Sequence, residues 1–384
     1  MNKSKTIYFD NAATTRLRDE VVNAMSEVLR NNYGNPSSSH SYGRSSKSVI
    51  EQCRKDIAAH FNVSAGEIIF TSGGTEADNL ALRSAARDLK ITHFITSKIE
   101  HHAVLHTLDQ LKAEYDITIS YVKLLNDGSI DLNHLEDLLQ EYPRSMISLM
   151  HVNNEVGNLL DIEAVAQLST AYDALFHCDS VQSVGHYEID LSKVKVDFMA
   201  ASAHKFHGPK GVGFAFVRKD SGLKPLIFGG EQERGFRAGT ESIHNIVGLE
   251  KSLRLAYENL DEEKEYIKGL KKHFIESVSR EIPETVFNGC SGNLYKSTYT
   301  VVNVALPVSA DKAGMLLFQL DLKGIACSKG SACQSGSSKG SHVLSEILSE
   351  EDMQKPSIRF SFSIYNTLEE VDYVVDVLKE LVKV

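Results

Sequence analysis

Residues 68–76 read Ile-Ile-Phe-Thr-Ser-Gly-Gly-Thr-Glu, so that a short apolar run leads through a glycine pair into a helical pattern that continues to about Leu89. This alternation extends to about residue 217, with further apolar runs at 93–96, 117–122, 146–152, 175–178 and 196–201 and helical patterns from 102, over 131–141 and over 161–172. It predicts an α/β fold, in which a mostly parallel sheet carries helices on both faces. In such sheets ligands bind at the carboxyl ends of the strands, where the polar motifs of this chain fall.

A second unit follows the alternating region. A long helical pattern rich in Lys and Glu, from about Ile246 to Arg280, marks the change of domain. Beyond it we expect a smaller α/β unit, built from apolar runs at 299–306 and 358–362, a helix near 311–320 and a closing helix from Leu368. We therefore expect an N-terminal arm (1–15) associated with the small domain, a large domain (16–250) and a small C-terminal domain (251–384).

Composition narrows the class of protein. The 384 residues are 42% hydrophobic and 24% charged, which is typical of globular proteins, and the net charge of −10 argues against nucleic acid as a partner. We expect neither a signal peptide nor a membrane span, because no apolar run has the required length. The 5 cysteines contain no CxxC pair. This pattern fits neither a disulfide framework nor a structural metal site, so we expect no metal and a reducing cytoplasm.

One lysine stands where a nucleophile would be useful. Ser202-Ala203-His204-Lys205 follows the apolar run at 196–201 and precedes a Gly/Pro turn. A lysine held there, partly out of water and beside a histidine, can lose its proton and attack an aldehyde. The natural aldehyde cofactor is pyridoxal phosphate. The alternative is a solvated surface charge.

Polar groups follow the other predicted strands and could bind such a cofactor. Gly74 and Thr75 open a helix whose N–H groups could receive a phosphate, although the same residues could simply cap the helix. Asp179 could pair with a protonated pyridine nitrogen, or cap the next helix. Three further residues are candidates. Gln182 could hydrogen-bond to the ring oxygen, and the imidazole of His101 could stack on the ring and transfer a proton. Asn154 could donate to the ring oxygen or to the substrate. A solvated histidine and an Asn-rich turn are the simpler alternatives for the last two.

A Gly/Ser-rich stretch near the C-terminus carries a cysteine. Of the residues 328–341, 9 are Gly or Ser, and Cys333 lies near their middle between Lys329 and Lys339. Such a loop, about 327–341, is expected to be mobile and unable to build a core. A thiol there, close to two lysines, is typical of a reactive thiolate rather than a structural cysteine.

Taken together, these motifs resemble the cysteine desulfurases of the NifS/IscS type, in the PLP-dependent class V aminotransferase superfamily of fold type I. The resemblance covers nearly the whole chain and rests on residues 8–15, 33–38, 72–76, 153–155, 202–205, 233–240 and 330–333. It implies cofactor contacts from Gly74, Thr75, His101, Asn154, Asp179, Gln182, Ser202, His204, Lys205 and Thr240. Of these, Lys205 is implied to form the Schiff base, and Thr240 to reach the phosphate of a neighbouring subunit in a homodimer with shared sites.

The resemblance also implies a reaction. L-cysteine, bound by Arg359, Asn154 and Asn35, becomes L-alanine while its sulfur passes to Cys333 as a persulfide, with Lys205 and His101 as the other catalytic residues. The acceptor is expected to be an iron–sulfur scaffold protein or a tRNA-thiolation relay. Where the family continues after Ser361 with glycine and arginine, this chain has Phe362-Ser363-Ile364. The alternatives are a selenocysteine lyase, another class V aminotransferase, or a non-catalytic adaptor of the same fold.

Overall fold

The computed structural model describes residues 6–308, 313–330 and 340–383. In these ranges the strands are β1 Ile7–Tyr8, β2 Ile68–Thr71, β3 His93–Thr96, β4 Thr118–Tyr121, β5 Met146–Met150, β6 Leu175–Asp179, β7 Phe198–Ser202, β8 Gly213–Val217, β9 Val286–Phe287, β10 Val301–Ala305, β11 Ile325–Ala326 and β12 Ser357–Ser361. The α-helices are α1 Asp19–Asn31, α2 Ser41–His60, α3 Gly74–Arg87, α4 His102–Glu114, α5 Leu132–Glu141, α6 Ile162–Ala171, α7 Ile243–Glu258, α8 Leu260–Glu281, α9 Leu316–Leu322, α10 His342–Ile347 and α11 Leu368–Lys383.

The large sheet confirms the predicted α/β fold. Within the described ranges it has seven strands in the order β2-β8-β7-β6-β5-β3-β4. All neighbouring strands run parallel except at β8, which is antiparallel to both β2 and β7. The sequence reading did not anticipate β8, α1 or α2. The carboxyl ends of β5, β6 and β7 lie side by side, which brings the polar residues after them together.

Successive side chains of each strand point to opposite faces of the sheet, so the strands contribute to two hydrophobic cores, one on either face. In β2, Ile68 and Phe70 join the core beneath α2 and α7, whereas Ile69 joins the core beneath α3 and α4. Every residue of β2 is buried. Strands that are apolar on both sides are expected only where helices cover both faces, as they do here.

The small unit has its own core around a second sheet. Strands β9, β10 and β12 pair in the order β12-β10-β9, and α8 packs against α11 beneath them. The arm joins this unit, because β1 pairs in parallel with β11 and Phe9 packs among its core residues. The side chains of Phe9 and Phe362 meet edge to face at 5.1 Å between ring centroids.

The helical pattern expected from Ile246 to Arg280 forms two helices rather than one. They meet at Asn259, which is the C-cap of α7 and the N-cap of α8. Because α7 packs on α1 and α2, the expected boundary at residue 250 falls inside a helix of the large unit. We propose to place the domain boundary at Asn259. In the described part of the chain, no helix combines the length and apolar character needed to cross a bilayer.

Candidate active site

One cavity of about 210 Å³ lies at the carboxyl ends of the parallel strands, between the large sheet, the arm and β12. It brings together ten of the residues predicted from the sequence, which are Gly74, Thr75, His101, Asn154, Asp179, Gln182, Ser202, His204, Lys205 and Arg359. The remaining lining comes from Ala12, Ala13, Asp78, Met150, Val152 and Val181. Residues from distant parts of the sequence therefore face one space.

Lys205 extends into this cavity from the turn that ends β7. The 3-10 turn Ala203–Lys205 follows β7 directly, so the lysine stands at the carboxyl edge of the sheet. Its Nζ donates to the carbonyl oxygens of Ala12 at 2.6 Å and Ala13 at 2.9 Å. The amine is thus held within the cavity by the N-terminal arm, rather than extended into solvent as the alternative reading would have it.

Asp179 is the last residue of β6 and lies on the next strand of the sheet. It is buried, and its Oδ1 accepts a hydrogen bond from the Val181 backbone N–H at 3.0 Å. Burial raises the pKa of Asp179 to about 6, and the nearby carboxylate of Asp78 adds to the rise, whereas His101 opposes it. A cationic group bound in the cavity would stabilise the ionised form of this carboxylate.

The start of α3 forms a concave backbone surface. The helix begins at Gly74 after Gly73, whose φ of 151° favours glycine, and no side chain caps it. The alternative in which Thr75 caps the helix is therefore wrong. The N–H groups of the first turn have no acceptor inside the helix, so this end can bind an anion. A Cβ at Gly73 would lie 3.4 Å from Ser202 Oγ, within the same concave surface.

Two histidines border the cavity in neutral form. His101 is the N-cap of α4, and its Nδ1 accepts from the Ala103 N–H at 3.1 Å, which leaves the proton of the neutral ring on Nε2. Burial lowers the pKa of His101. Burial also lowers the pKa of His204 to about 4, helped by the positive charge of Lys205, and its Nδ1 lies 3.2 Å from Thr14 Oγ1.

Arg359 reaches the cavity from the small sheet. It is only 1% exposed; Nη1 donates to the Asn154 carbonyl at 2.7 Å and Nη2 to Asp10 Oδ1 at 2.9 Å. Arg359 therefore forms an ion pair with Asp10 at the edge of the cavity. The sequence reading missed Asp10 as the partner, because 349 positions separate the two residues.

Two predicted residues lie outside this cavity, and a third is not among the described residues. Thr240 lines a separate cavity of about 230 Å³ together with Arg237. Asn35 is exposed at the start of the segment before α2, where its Oδ1 accepts from the Ser37 N–H at 2.9 Å. Cys333 lies outside the described residues. The roles of all three remain predictions.

Asp78 is a lining residue that the sequence reading did not single out. Its Oδ1 lies 3.3 Å from Nε2 of His177, and both side chains are buried. Burial raises the pKa of Asp78 to about 8 and lowers that of His177 to about 4. A signal existed in the sequence, because Asp78 lies one helical turn after Thr75 and must share its face of α3. Among the described residues, no group of His, Cys, Asp and Glu is arranged to hold a metal ion.

Comparison with known proteins agrees with this geometry. Residues 7–374 match the family model of class-V aminotransferases, and the chain belongs to that family. The sequence is 40% identical over 384 residues to the cysteine desulfurase IscS of Dictyoglomus turgidum, covering 99% of this chain and 95% of that protein. It is 41% identical over 384 residues to a putative cysteine desulfurase IscS 1 of Bacillus subtilis, covering 98% and 99%.

Comparison with solved structures agrees with this family assignment. A NifS-like protein, 33% identical, superposes with a TM-score of 0.89 and covers 99% of this chain and 100% of its own. SspA in complex with cysteine, 31% identical, gives a TM-score of 0.78 and covers 94% and 100%. The resemblance to the NifS/IscS-type cysteine desulfurases is therefore confirmed, together with the fold class.

Proposed function

We propose that this chain is a cysteine desulfurase, which converts L-cysteine to L-alanine and passes the sulfur to Cys333. The observation that carries the proposal is the meeting of Lys205 and Asp179 at adjacent strand ends of one cavity. A lysine amine and a buried carboxylate in this relation suit a pyridine aldehyde. The similarity to IscS proteins and to an SspA solved with cysteine supports cysteine as the substrate.

The cofactor that fits the cavity is pyridoxal 5'-phosphate. The first turn of α3, with Gly74 and Thr75, would receive the phosphate, assisted by Ser202 and His204. Asp179 would face the ring nitrogen, where a cation would offset the cost of burying its charge. Ring contacts would come from His101, Asn154 and Gln182, and Lys205 would hold the aldehyde carbon. When bound, the cofactor supplies an electron sink for charge that develops at the substrate Cα.

The protein groups then divide the work on the substrate. Arg359 binds the carboxylate, for which a guanidinium has the matching fork of donors. Lys205 takes the Cα proton, and the neutral ring of His101 can hold or return a proton through Nε2. The thiolate of Cys333 attacks the substrate sulfur, so that an S–S bond forms and the Cβ–S bond breaks. The electron pair of the broken bond stays on Cβ, which takes up one proton, and Lys205 returns the other proton to Cα, so that L-alanine is complete.

The other cysteines support the assignment of Cys333 as the nucleophile. Burial raises the pKa of Cys53, Cys178 and Cys327 to about 12 and also raises that of Cys290. A thiol with such a pKa carries almost no thiolate at neutral pH, and the thiolate is the reactive form. Cys333, flanked in sequence by two lysines, is the remaining candidate.

We further propose a homodimer in which Thr240, and with it Asn35, completes the site of the neighbouring subunit. Both side chains are exposed and lie outside the cavity of their own chain. The persulfide would be handed to a sulfur acceptor such as an iron–sulfur scaffold protein, in the cytoplasm. Sedimentation of the purified protein tests the dimer.

The decisive experiment locates the sulfur. The protein loaded with pyridoxal phosphate is treated with L-cysteine, and mass spectrometry is expected to find one added sulfur on Cys333 and L-alanine in solution. Cys333→Ala should bind the cofactor normally, with its yellow colour, and form no persulfide. Full desulfuration by that variant without added thiol would contradict the role of Cys333. Turnover of selenocysteine, or of alanine with a keto acid, in preference to cysteine would favour the alternative enzymes.

A further inference from the structure

Glu76 places a carboxylate beside the turn that is proposed to bind the cofactor phosphate. Gly73 is the N-cap of α3, so Glu76 occupies the third position of this helix, directly after Gly74 and Thr75. A carboxylate and a phosphate are both attracted to a helix N-terminus. Because two negative charges at one helix end repel each other, an unpaired Glu76 would weaken phosphate binding.

The side chain of Glu76 also holds the turn before the helix closed. Its Oε2 accepts a hydrogen bond from the Ser72 backbone N–H at 2.8 Å. A glutamate at the third helical position often reaches back in this way to the backbone at the start of a helix. The N-cap is a glycine and has no side chain that could accept such a bond. Glu76 is therefore the side chain that fixes the path of the chain into α3.

Arg237, which belongs to the segment 233–240, pairs with this carboxylate. Arg237 Nε donates to Glu76 Oε1 at 2.9 Å and Nη2 to Oε2 at 3.3 Å, so two donors bind one carboxylate. The Glu76 side chain is only 12% exposed and that of Arg237 is 26% exposed. Burial alone would raise the pKa of Glu76, but the hydrogen bonds from Arg237 and Ser72 outweigh burial and lower it. The carboxylate is therefore ionised at neutral pH and lies against a matching positive charge.

We propose that Arg237 is a positioning residue for the phosphate site, which acts through Glu76. Glu76 closes the turn at Ser72, and Arg237 neutralises the negative charge that this closure would otherwise place beside a bound phosphate. The inference rests on the proposed cofactor and extends its phosphate site to a residue outside the cavity. The pair is separated by 161 positions in sequence, so it forms only when the segment 233–240 packs against the start of α3.

Equilibrium dialysis of the full-length, cofactor-free protein against pyridoxal phosphate and against pyridoxal tests the pair. Arg237→Met removes the charge and leaves Glu76 unpaired. It should weaken pyridoxal phosphate about five- to thirtyfold, the range for a partly buried charge at a helix N-terminus, and leave pyridoxal unchanged. This loss relative to wild type should shrink at high salt, because salt screens the repulsion. Arg237→Lys, which keeps the positive charge, should recover most of the affinity.

A double variant separates the effect of charge from general damage. When Arg237→Met is combined with Glu76→Gln, the amide oxygen can still accept from the Ser72 N–H, but the negative charge is gone. The affinity for pyridoxal phosphate should therefore return close to that of wild type, and Glu76→Gln alone should bind at least as tightly as wild type. Arg83→Met is the matched control, because it breaks an exposed pair with Glu114 further along α3. It should leave both affinities unchanged.

Two outcomes would overturn the proposal. One is a double variant that binds pyridoxal phosphate as weakly as Arg237→Met, and the other is an equal loss of pyridoxal and pyridoxal phosphate. Either result would mean that Arg237 acts by holding the segment that carries Thr240, with which it lines one cavity, and not through charge. If Arg237→Met does not fold, Arg237→Gln takes its place. A wild type without preference for pyridoxal phosphate over pyridoxal would instead refute the proposed phosphate site, and this inference with it.

Discussion

The buried ion pair between Arg54 and Glu233 offers a sharp test of how this fold is held together. Arg54 Nη1 and Nη2 lie 2.6 Å and 2.8 Å from the two carboxylate oxygens of Glu233, and both side chains are 2% exposed. The same groups also serve the edge strand β2, because Arg54 Nη1 donates to the Ile68 carbonyl at 2.7 Å and Glu233 Oε2 accepts from the Phe70 N–H at 2.7 Å. Both buried charges are thus hydrogen-bonded to each other and to the backbone of β2.

Glu233→Gln should cost about 3–5 kcal/mol of unfolding free energy, because removing one partner of a buried pair leaves the other charge uncompensated. The new amide keeps one acceptor oxygen, but its NH₂ group would face the guanidinium donors of Arg54. Urea unfolding followed by circular dichroism measures the change, since the chain contains no tryptophan for fluorescence. Both proteins must be compared without cofactor, because ligand binding adds its own stabilisation.

A matched control is the pair Arg83–Glu114, which has the same 2.6 Å separation but is 27% and 34% exposed. Glu114→Gln should leave the free energy of unfolding close to that of wild type, because exposed pairs contribute little to stability. The double variant Arg54→Met with Glu233→Met should remain less stable than wild type by at least about 2 kcal/mol, because the Ile68 carbonyl and the Phe70 N–H lose their partners. A cost for Glu233→Gln no larger than that for Glu114→Gln would refute the reasoning.

Three further outcomes follow from single positions. Gly73→Ala places a side chain at φ 151° and 3.4 Å from Ser202 Oγ, so it should weaken pyridoxal phosphate about tenfold while leaving pyridoxal, which has no phosphate, unchanged in equilibrium dialysis. Because burial raises the pKa of Asp179 to about 6, the contribution of Asp179 to the free energy of unfolding of the cofactor-free protein should fall as pH rises from about 4 to 6. The difference in unfolding free energy between wild type and Asp179→Asn, measured in urea, should therefore fall across that range, since the other buried groups contribute equally to both proteins. Burial lowers the pKa of Lys271 to about 7, so unfolding free energy should rise from about pH 7 to 10, and Lys271→Met should remove the rise.

Local sequence patterns predict most strands of the large sheet, because a strand whose two faces are both buried consists of a short run of apolar residues. The strand His93–Thr96 and the start of α11 at Leu368 were located to the residue. The run Gly213–Val217 has the same apolar character and forms β8, although the alternating pattern described above does not include it. The break between α7 and α8 at Asn259 is hard to see in the sequence, because acidic and basic residues continue the helical pattern across it.

Site residues that directly follow a strand could be predicted from the sequence. Residues that reach the site only through tertiary contacts could not. Lys205 and Asp179 stand at strand ends, and the topology of a parallel sheet brings such residues to one edge. Asp10 contacts a partner that is far away in sequence, Arg359. No local pattern encodes such pairs. Their roles become visible only when the arm and the small sheet are seen against the large one.

The departure from the family pattern at Phe362-Ser363-Ile364 acts on the arm rather than on Arg359 directly. Phe362 packs against Phe9, and the Ser363 N–H donates to Asn366 Oδ1 at 2.9 Å. Asn366 Nδ2 in turn donates to the Tyr8 carbonyl at 3.0 Å, so these residues fix the strand that leads to Asp10. Asp10 holds the guanidinium of Arg359, and the next residues of the arm hold the Lys205 amine. The substitution therefore falls where it can alter both groups together, through the arm that positions them.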